Sequence, residues 1–451
     1  MPIEKLNVGV VSLGCDKNRV DTEHMLSYLK EAGFSFTSDA KKADIIIINT
    51  CGFIQASRQE SYDTIVEMIE HRKKGRCKRL IVTGCMPQRD EWLSQMRKDL
   101  PEVDIFLGIN EYDKIAKIIK DSLDNKTYKY VRKDKLVEQN FFGDRLITTP
   151  SHYAYLKIAD GCDKYCAFCT IPFIRGRFRS RTIESLVDEA THLVDCGATE
   201  LILVAQDVTK YGEDLYKKPS LVKLIKELSK IKKLKWIRLL YCYPEQLSDE
   251  LINEIVKNKK VCKYLDIPFQ HASTKILKMM NRKSTGEMHD EILTKIKNLP
   301  EYVAIRTTFM VGFPGETEED FNEIVKFIQS HPMQNVGFFA YSREEGTASY
   351  NYPNQVDEKT KQKRLIKLIK LQKKIAKDLN KKEFVGKTLE VVYEGIDYEK
   401  QRFFGRSQYQ SPEIDTVIYF KSSTPLALGS HVQVKITGTK DYDLQGVKEN
   451  G

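Results

Sequence analysis

Along the first 120 residues, short β-branched runs alternate with segments whose apolar positions recur at helical spacing. That alternation is the signature of βαβ units around a parallel sheet. Residues 8–13, 45–48 and 80–83 are predicted strands, and residues 21–32, 59–72 and 111–121 the helices around them. Residues 122–150 are polar and irregular, end in Thr149-Pro150, and predict a linker. A second alternation follows, with strands expected at 155–158, 200–204, 236–240, 264–267, 304–309 and 335–339 and amphipathic helices such as 183–196 and 317–331. About six β/α units without returning hairpins predict a complete or partial parallel barrel, whose chemistry sits at the C-terminal strand ends.

Residues 357–383 predict one long basic amphipathic helix, with Leu365, Leu368, Ile369, Ile375 and Leu379 on the apolar side and Gln372 set apart. After Gly386 the period changes to two, and segments 389–393, 402–405, 417–420 and 432–436 predict a small barrel of four or five strands. The chain therefore reads as α/β, divided into 1–125, a linker 126–150, 151–356, a connecting helix 357–383 and an all-β unit 384–451.

Composition narrows the class. Hydrophobic residues make up 41% and charged residues 30% of 451, ordinary for a folded domain protein and too apolar for a disordered one. No apolar run approaches the ~20 residues that span a bilayer. The N-terminus has no signal-peptide core, so a cytoplasmic chain without a membrane partner is expected. The net charge is 73 − 63 = +10, unevenly spread. Residues 357–383 hold eleven Lys/Arg against four Asp/Glu, or +7, and the tail from Phe384 holds eight against nine, or −1. Residues 1–356 carry the remaining +4.

Ten cysteines in a reducing compartment point to metal ligation or catalysis rather than disulfides. The strongest signal is Cys162, Cys166 and Cys169, a C-x3-C-x2-C loop directly after a predicted strand. Three thiolates so close can wrap one face of a metal cluster at little loop-closure cost, and Gly161 permits close backbone approach. Three protein ligands leave an open position for a substrate or cofactor, as in a catalytic zinc site. A structural zinc with a distant fourth ligand is the competing reading, although paired C-x2-C knuckles are its commoner form. Cys15, Cys51 and Cys85 each follow a predicted strand and each has a glycine beside it. Strand ends of a parallel sheet share one edge, so these three predict a second three-thiolate site. The competing reading of each is a buried core cysteine. Cys77 sits among charges and reads as a surface residue, and for all four of Cys77, Cys196, Cys242 and Cys262 packing outweighs a functional role.

The Cys162, Cys166, Cys169 motif resembles that of the radical S-adenosylmethionine (SAM) superfamily. The resemblance implies a 4Fe-4S cluster whose open iron is chelated by SAM, with one-electron cleavage to methionine and a 5′-deoxyadenosyl radical. The segment 311–316 looks like a SAM-contacting segment of that superfamily and makes Gly312, Gly315 and Glu316 candidate cofactor-binding residues. A tight turn before a capped helix is its other reading.

Two three-cysteine sites followed by a small β-barrel resemble the radical SAM methylthiotransferases across the whole chain: an N-terminal methylthiotransferase domain, a radical SAM domain and a TRAM domain. Segments 13–18, 49–54, 172–176, 205–207 and 341–346 look like the RimO-type branch, with Asp16 where many such sequences have proline. That resemblance implies methylthiolation at the β-carbon of an aspartate in ribosomal protein S twelve. It also implies two SAM molecules, two 4Fe-4S clusters on the six cysteines, an electron donor such as flavodoxin or ferredoxin, and a sulfur donor. A first SAM would methylate a sulfur held at Cys15, Cys51 and Cys85, and a second, cleaved at Cys162, Cys166 and Cys169, would supply the radical. The alternative is a tRNA adenosine methylthiotransferase of the MiaB-like branch. Against it, an RNA-gripping barrel should be basic, and this tail is at −1. A non-enzymatic iron–sulfur scaffold or ribosome factor is the remaining class. Asp266, Gln270 and His271 fall at a strand end facing the expected cavity, where packing is an equal reading.

Overall fold

Five parallel strands organise the first domain: β1 (Asn7–Ser12), β2 (Ser35–Phe36), β3 (Ile45–Thr50), β4 (Arg79–Gly84) and β5 (Ile105–Leu107), in the order β2-β1-β3-β4-β5. They come from a computed structural model that describes residues 6–109, 111–124 and 145–449. Helices α1 (Asp16–Glu31), α2 (Gln55–Lys74), α3 (Asp90–Asp99) and α4 (Ile115–Asp124) cover both faces. Strand β3 is buried throughout, which is why it reads as an unbroken isoleucine run. Ile45 and Ile47 pack with Met25, Leu29 and Ile119 on one face, while Ile46 and Ile48 pack with Ile65, Met68 and Met96 on the other. The three predicted strands are present. Strands β2 and β5 and helix α3 were not foreseen: two or three residues carry no periodicity, and α3 buries only Leu93 and Met96.

In the second domain β6 (Tyr153–Lys157) leads to β7 (Ala159–Asp160), α5 (Ile171–Arg175), β8 (Arg179–Ser180), α6 (Ile183–Asp195), β9 (Glu200–Val204), α7 (Glu213–Tyr216), α8 (Leu221–Ser229) and β10 (Trp236–Leu239). Helix α9 (Asp249–Lys257), β11 (Tyr264–Asp266), α10 (Thr274–Met279), α11 (Gly286–Lys297), β12 (Ala304–Val311), α12 (Glu318–Ser330) and β13 (Asn335–Ala340) complete it. Strands β6-β9-β10 and β11-β12-β13 form two parallel sheets joined by an Ile237–Val261 bridge, a partial barrel in sequential order. The expectation of no returning strands is corrected by β7 and β8, an antiparallel pair at the base of the cysteine loop. Strands of two residues left no pattern to read.

Helix α13 (Glu358–Phe384) corrects the expected apolar face: Ile369 is exposed and Gln372 is buried. The helix lies against β13, and Gln372 Nε2 donates to the carbonyls of Met333 (2.8 Å) and Gln334 (3.3 Å). Backbone acceptors entering an edge strand therefore outrank one apolar contact. Phe384 ends the helix inside the core of a closed barrel β14-β15-β16-β18-β17, formed by β14 (Thr388–Asp397), β15 (Arg402–Arg406), β16 (Ile418–Lys421), β17 (His431–Lys440) and β18 (Asp443–Lys448).

The three units interlock. The loop after β15 plugs the N-terminal mouth of the partial barrel, where Glu200 meets Arg238 at 2.7 Å and Arg406 at 2.5 Å, and the Tyr264 hydroxyl donates to Asp415 at 2.6 Å. Helix α1 packs against β6, and its Val20 joins Tyr155, Ile202, Val204, Leu240 and Tyr264 in one cluster. The sequence predicted α1 only from residue 21, because Asp16, Lys17, Asn18 and Arg19 precede the apolar period. Most of the predicted linker lies outside the described residues. Its described end is packed, with Arg145 bound to Glu23 at 2.9 Å and to Glu189 at 2.5 Å. Among the described residues no helix is long and apolar enough to cross a membrane.

Burial pushes the Glu189 carboxyl up, but the guanidiniums of Arg181 and Arg145 outweigh it and hold it down at about 2, against an ordinary value of 4.5. A depressed folded-state value means stabilisation that is complete above about 4.5 and lost as pH falls through about 2. Glu189→Gln is therefore expected to melt below the parent at neutral pH, with the gap narrowing as the pH of the melts drops below 4.5. A gap constant down to acid would refute this origin.

Candidate active site

The strand order reverses between β1 and β3, so the C-terminal ends of those strands flank the topological switch point, where open α/β sheets bind ligands. Cys15 stands there as the N-cap of α1, Cys51 follows β3, and Cys85 follows β4. The adjoining glycines are sterically required. A Cβ on Gly14 (φ +89°) would lie 2.9 Å from the Cys51 Cβ, and one on Gly52 would lie 3.0 Å from the Cys85 carbonyl carbon. Asn18 ties the loops together, donating from Nδ2 to the carbonyls of Leu13 (3.0 Å) and Thr50 (2.9 Å). Cys15 is exposed, Cys51 half-buried and Cys85 buried. Burial raises the Cys51 thiol. Burial also pushes Cys85 up to about 12, against the pull of Arg175.

The second trio sits in the loop between β7 and α5. Cys162 N donates to the Gly176 carbonyl at 3.0 Å, and Cys169 N to that of Cys166 at 2.9 Å. A Cβ on Gly161 (φ +83°) would lie 2.1 Å from the Arg177 carbonyl oxygen, so only glycine fits. Tyr165 adopts φ +48°, an uncommon left-handed conformation, and its carbonyl is held by Asn281 Nδ2 at 2.9 Å. Burial raises Cys169, and pushes Cys162 up to about 11. Arg282 lies 3.9 Å from the Cys166 sulfur and stacks on Tyr243.

One side chain touches both loops. Buried Arg175 donates to Asn18 Oδ1 (2.7 Å) and Asp21 Oδ2 (2.9 Å) in the first domain, and to Asp160 Oδ2 (2.9 Å) just before Gly161. Its Nη2 is also 3.7 Å from the Cys85 sulfur. A second contact between the domains comes from Glu344, which pairs with Arg58 and accepts from the Gln55 amide at 2.8 Å, while Arg89 reaches the Glu345 carbonyl at 2.7 Å. Arg175 and Glu344 fall in segments the sequence singled out, but no role could be read for them. The partners of Arg175 in the first domain lie about 150 residues away.

Gly312 (φ +74°) and Gly315 (φ +82°) form a turn after β12 that leads into a capping box of Thr317 and Asp320, so the turn-before-capped-helix geometry is present. The Glu316 carboxylate is occupied within that turn: it accepts from the Gly312 amide (2.8 Å) and from Arg364 (2.6 Å), with His271 at 3.3 Å. His271 is thereby accounted for, and Asp266 accepts from the Tyr241 amide and Arg306, both at 2.9 Å. Gln270 stands at φ +72° in a bridge to Phe309. Cys242 and Cys262 are buried. Cys77 is not a surface residue: its side chain turns from a charged sequence neighbourhood into the core against Leu80 and Ile69. Cys196 is not a packing residue: it caps α6 and is exposed, with His192 3.6 Å from its sulfur.

Among the described residues neither trio is drawn in to the spacing of a single-ion site. The donor sets are nevertheless thiols, the ligands of iron–sulfur clusters, on loops whose close approach the adjoining glycines permit. Next to the first trio the buried Tyr112 hydroxyl has no hydrogen-bond partner among the described residues. The residues present fit an iron–sulfur group at each trio.

Comparison with known proteins agrees with this architecture. The chain matches the Uncharacterized protein family UPF0004 over residues 7–108, the Radical SAM superfamily over 156–328 and the TRAM domain over 385–448. It is 47% identical over 447 residues to the ribosomal protein uS12 methylthiotransferase RimO of Clostridium botulinum (strain Eklund 17B / Type B), covering 99% of each chain. The protein of the same name from Thermoanaerobacter sp. (strain X514) is 47% identical, with 98% of this chain and 99% of that one covered. Among solved structures, the radical SAM methyltransferase TsrM from Kitasatospora setae superposes with a TM-score of 0.55 at 13% identity, over 74% of this chain and 72% of its own, a likeness of fold.

Proposed function

The chain belongs to the RimO family of ribosomal protein uS12 methylthiotransferases, and from that premise we propose that it places a methylthio group on the β-carbon of an aspartate of uS12. It is a SAM-dependent transferase of the radical SAM superfamily. In our reading Cys15, Cys51 and Cys85 hold one 4Fe-4S cluster and Cys162, Cys166 and Cys169 another. The observation that carries it is the pair of three-thiol clusters, one gathered from three strand ends and one on a single loop, linked by the guanidinium of Arg175. When bound, the clusters and SAM supply the radical and the sulfur for an unactivated C–H bond that no side-chain base can deprotonate at a useful rate.

The chain's own residues prepare the site. Gly14, Gly52 and Gly161 let the thiol-bearing loops close, and Asn18 and Arg175 fix their orientation. Gly312 and Gly315 present the turn assigned to SAM, and Glu316 acts by holding that turn through the Gly312 amide. The tail at −1 favours a basic protein over RNA as the docking partner. An electron donor of the flavodoxin or ferredoxin class and a sulfur donor complete the scheme, in the reducing cytoplasm that thiol ligands require.

Anaerobically reconstituted protein with SAM, sulfide and a reductant should be offered the aspartate-bearing loop peptide of uS12 and unmodified tRNA in parallel. Mass spectrometry is expected to show the methylthio adduct on the peptide alone. An adduct on tRNA would overturn the substrate, and none on either, with clusters intact, would overturn the reaction.

A further inference from the structure

The first cysteine trio has a hydrogen-bond donor from the other domain. Arg175 is 2% exposed, and its Nη2 faces three acceptors: Asn18 Oδ1 at 2.7 Å, Asp21 Oδ2 at 2.9 Å and the Cys85 sulfur at 3.7 Å. That nitrogen carries two hydrogens, so the three acceptors compete for it. Its Nη1 is committed to Asp160 at 2.9 Å. Lys157 also pairs with Asp21, and lies 3.4 Å from Asp160. Two cations therefore balance two carboxylates, and a thiolate at Cys85 adds a negative charge beside Arg175.

We propose that Arg175 is a positioning residue for a cluster on Cys15, Cys51 and Cys85, and that it sets the reduction potential of that cluster. The proposal rests on the reading that these cysteines hold an iron–sulfur cluster. An N–H donor and a positive charge at a ligating sulfur stabilise the reduced, more negative state and raise the potential. Lysine keeps the charge but loses the planar fork that reaches Asp160 and the Cys85 side together. Asp21 acts in the opposite sense. It draws Nη2 away from the sulfur and contributes a negative charge of its own.

The test is a redox titration followed by electron paramagnetic resonance on the full-length Cys162→Ala/Cys166→Ala/Cys169→Ala chain, reconstituted anaerobically so that only the first trio can carry a cluster. Arg175→Gln in that background is expected to move the potential to a more negative value. Arg175→Lys should move it in the same direction by less, and Asp21→Asn should move it to a more positive value. Loss of docking alone would not reverse the sign between Arg175→Gln and Asp21→Asn. If Arg175→Gln retains no cluster, the ordering of parent, Arg175→Lys and Asp21→Asn carries the same test. A parent signal whose potential is unmoved by all variants, or moved in one direction by all, overturns the inference alone. A parent that binds no cluster overturns the assignment of the first trio and the inference with it.

Discussion

A Cys85→Ala chain, reconstituted with iron and sulfide without oxygen, is expected to give no detectable methylthio adduct while still yielding cleaved SAM; Cys162→Ala is expected to lose both. The difference follows from which loop each thiol serves. Cys85 closes the trio at the first sheet's strand ends, where Gly52 packs on its backbone and Arg175 faces its sulfur. Cys162 is held to Gly176 in the loop to which the proposed function assigns SAM cleavage. Two thiols left in either trio cannot hold the cluster firmly, so iron content should fall with activity. Cys196→Ser, exposed at the end of α6, is the control and should keep full transfer. Mass spectrometry of the peptide, chromatography of SAM products and iron analysis read all three variants. Retained transfer in Cys85→Ala or Cys162→Ala would refute the assignment of that trio.

Glu200→Ala should be the most destabilising single change away from the cysteines. Its carboxylate lies between Arg238 and Arg406, and all three side chains are at most 2% exposed. Alanine would leave two buried guanidiniums facing each other. Arg406 would keep Glu394 at 2.7 Å, and Arg238 would keep no carboxylate among the described residues, only backbone carbonyls such as that of Gln408 at 2.8 Å and the face of Tyr264. Removing one partner of a buried ion pair costs about 3–5 kcal/mol, a large share of a typical domain stability of about 5–15 kcal/mol. Because the pair joins β9 to the end of β15, the terminal barrel should release from the mouth of the partial barrel before the rest unfolds. Thermal melts should show an early, separate transition, and limited proteolysis should cut within the chain following β15. Glu200→Gln, whose single amide oxygen still accepts from one of the two arginines, should lose less. A melt superimposable on the parent's would show that the triad does not hold the barrel in place.

Local chemistry was legible in the sequence, and long-range pairing was not. Strand ends carrying a cysteine and a glycine could be read because a period of two, an isoleucine run and a C-x3-C-x2-C spacing are properties of neighbouring residues. The parallel sheets, the long helix and the terminal barrel followed from the same periodicities, and the resemblance of short motifs carried the family. Cys77 and Cys196 exchanged places because charged neighbours do not tell which way one side chain turns. Gln372 and Ile369 exchanged faces because the helix answers to carbonyls at β13 that its own sequence cannot name. The largest gap was the first turn of α1: the sequence predicts the helix only from Asp21, whereas in the structure Asp16 to Val20 are helical too and that turn packs against the second domain. The charges of Arg19 and Asp21 meet Arg175, Lys157 and Glu413 only after the domains have folded together. The sequence by itself determined the longer periodic elements, the grouping of six cysteines into two candidate trios and the family. The tertiary structure alone decided how the trios are joined, because a buried charge is stable only beside its partner, and here the partners lie more than a hundred residues apart.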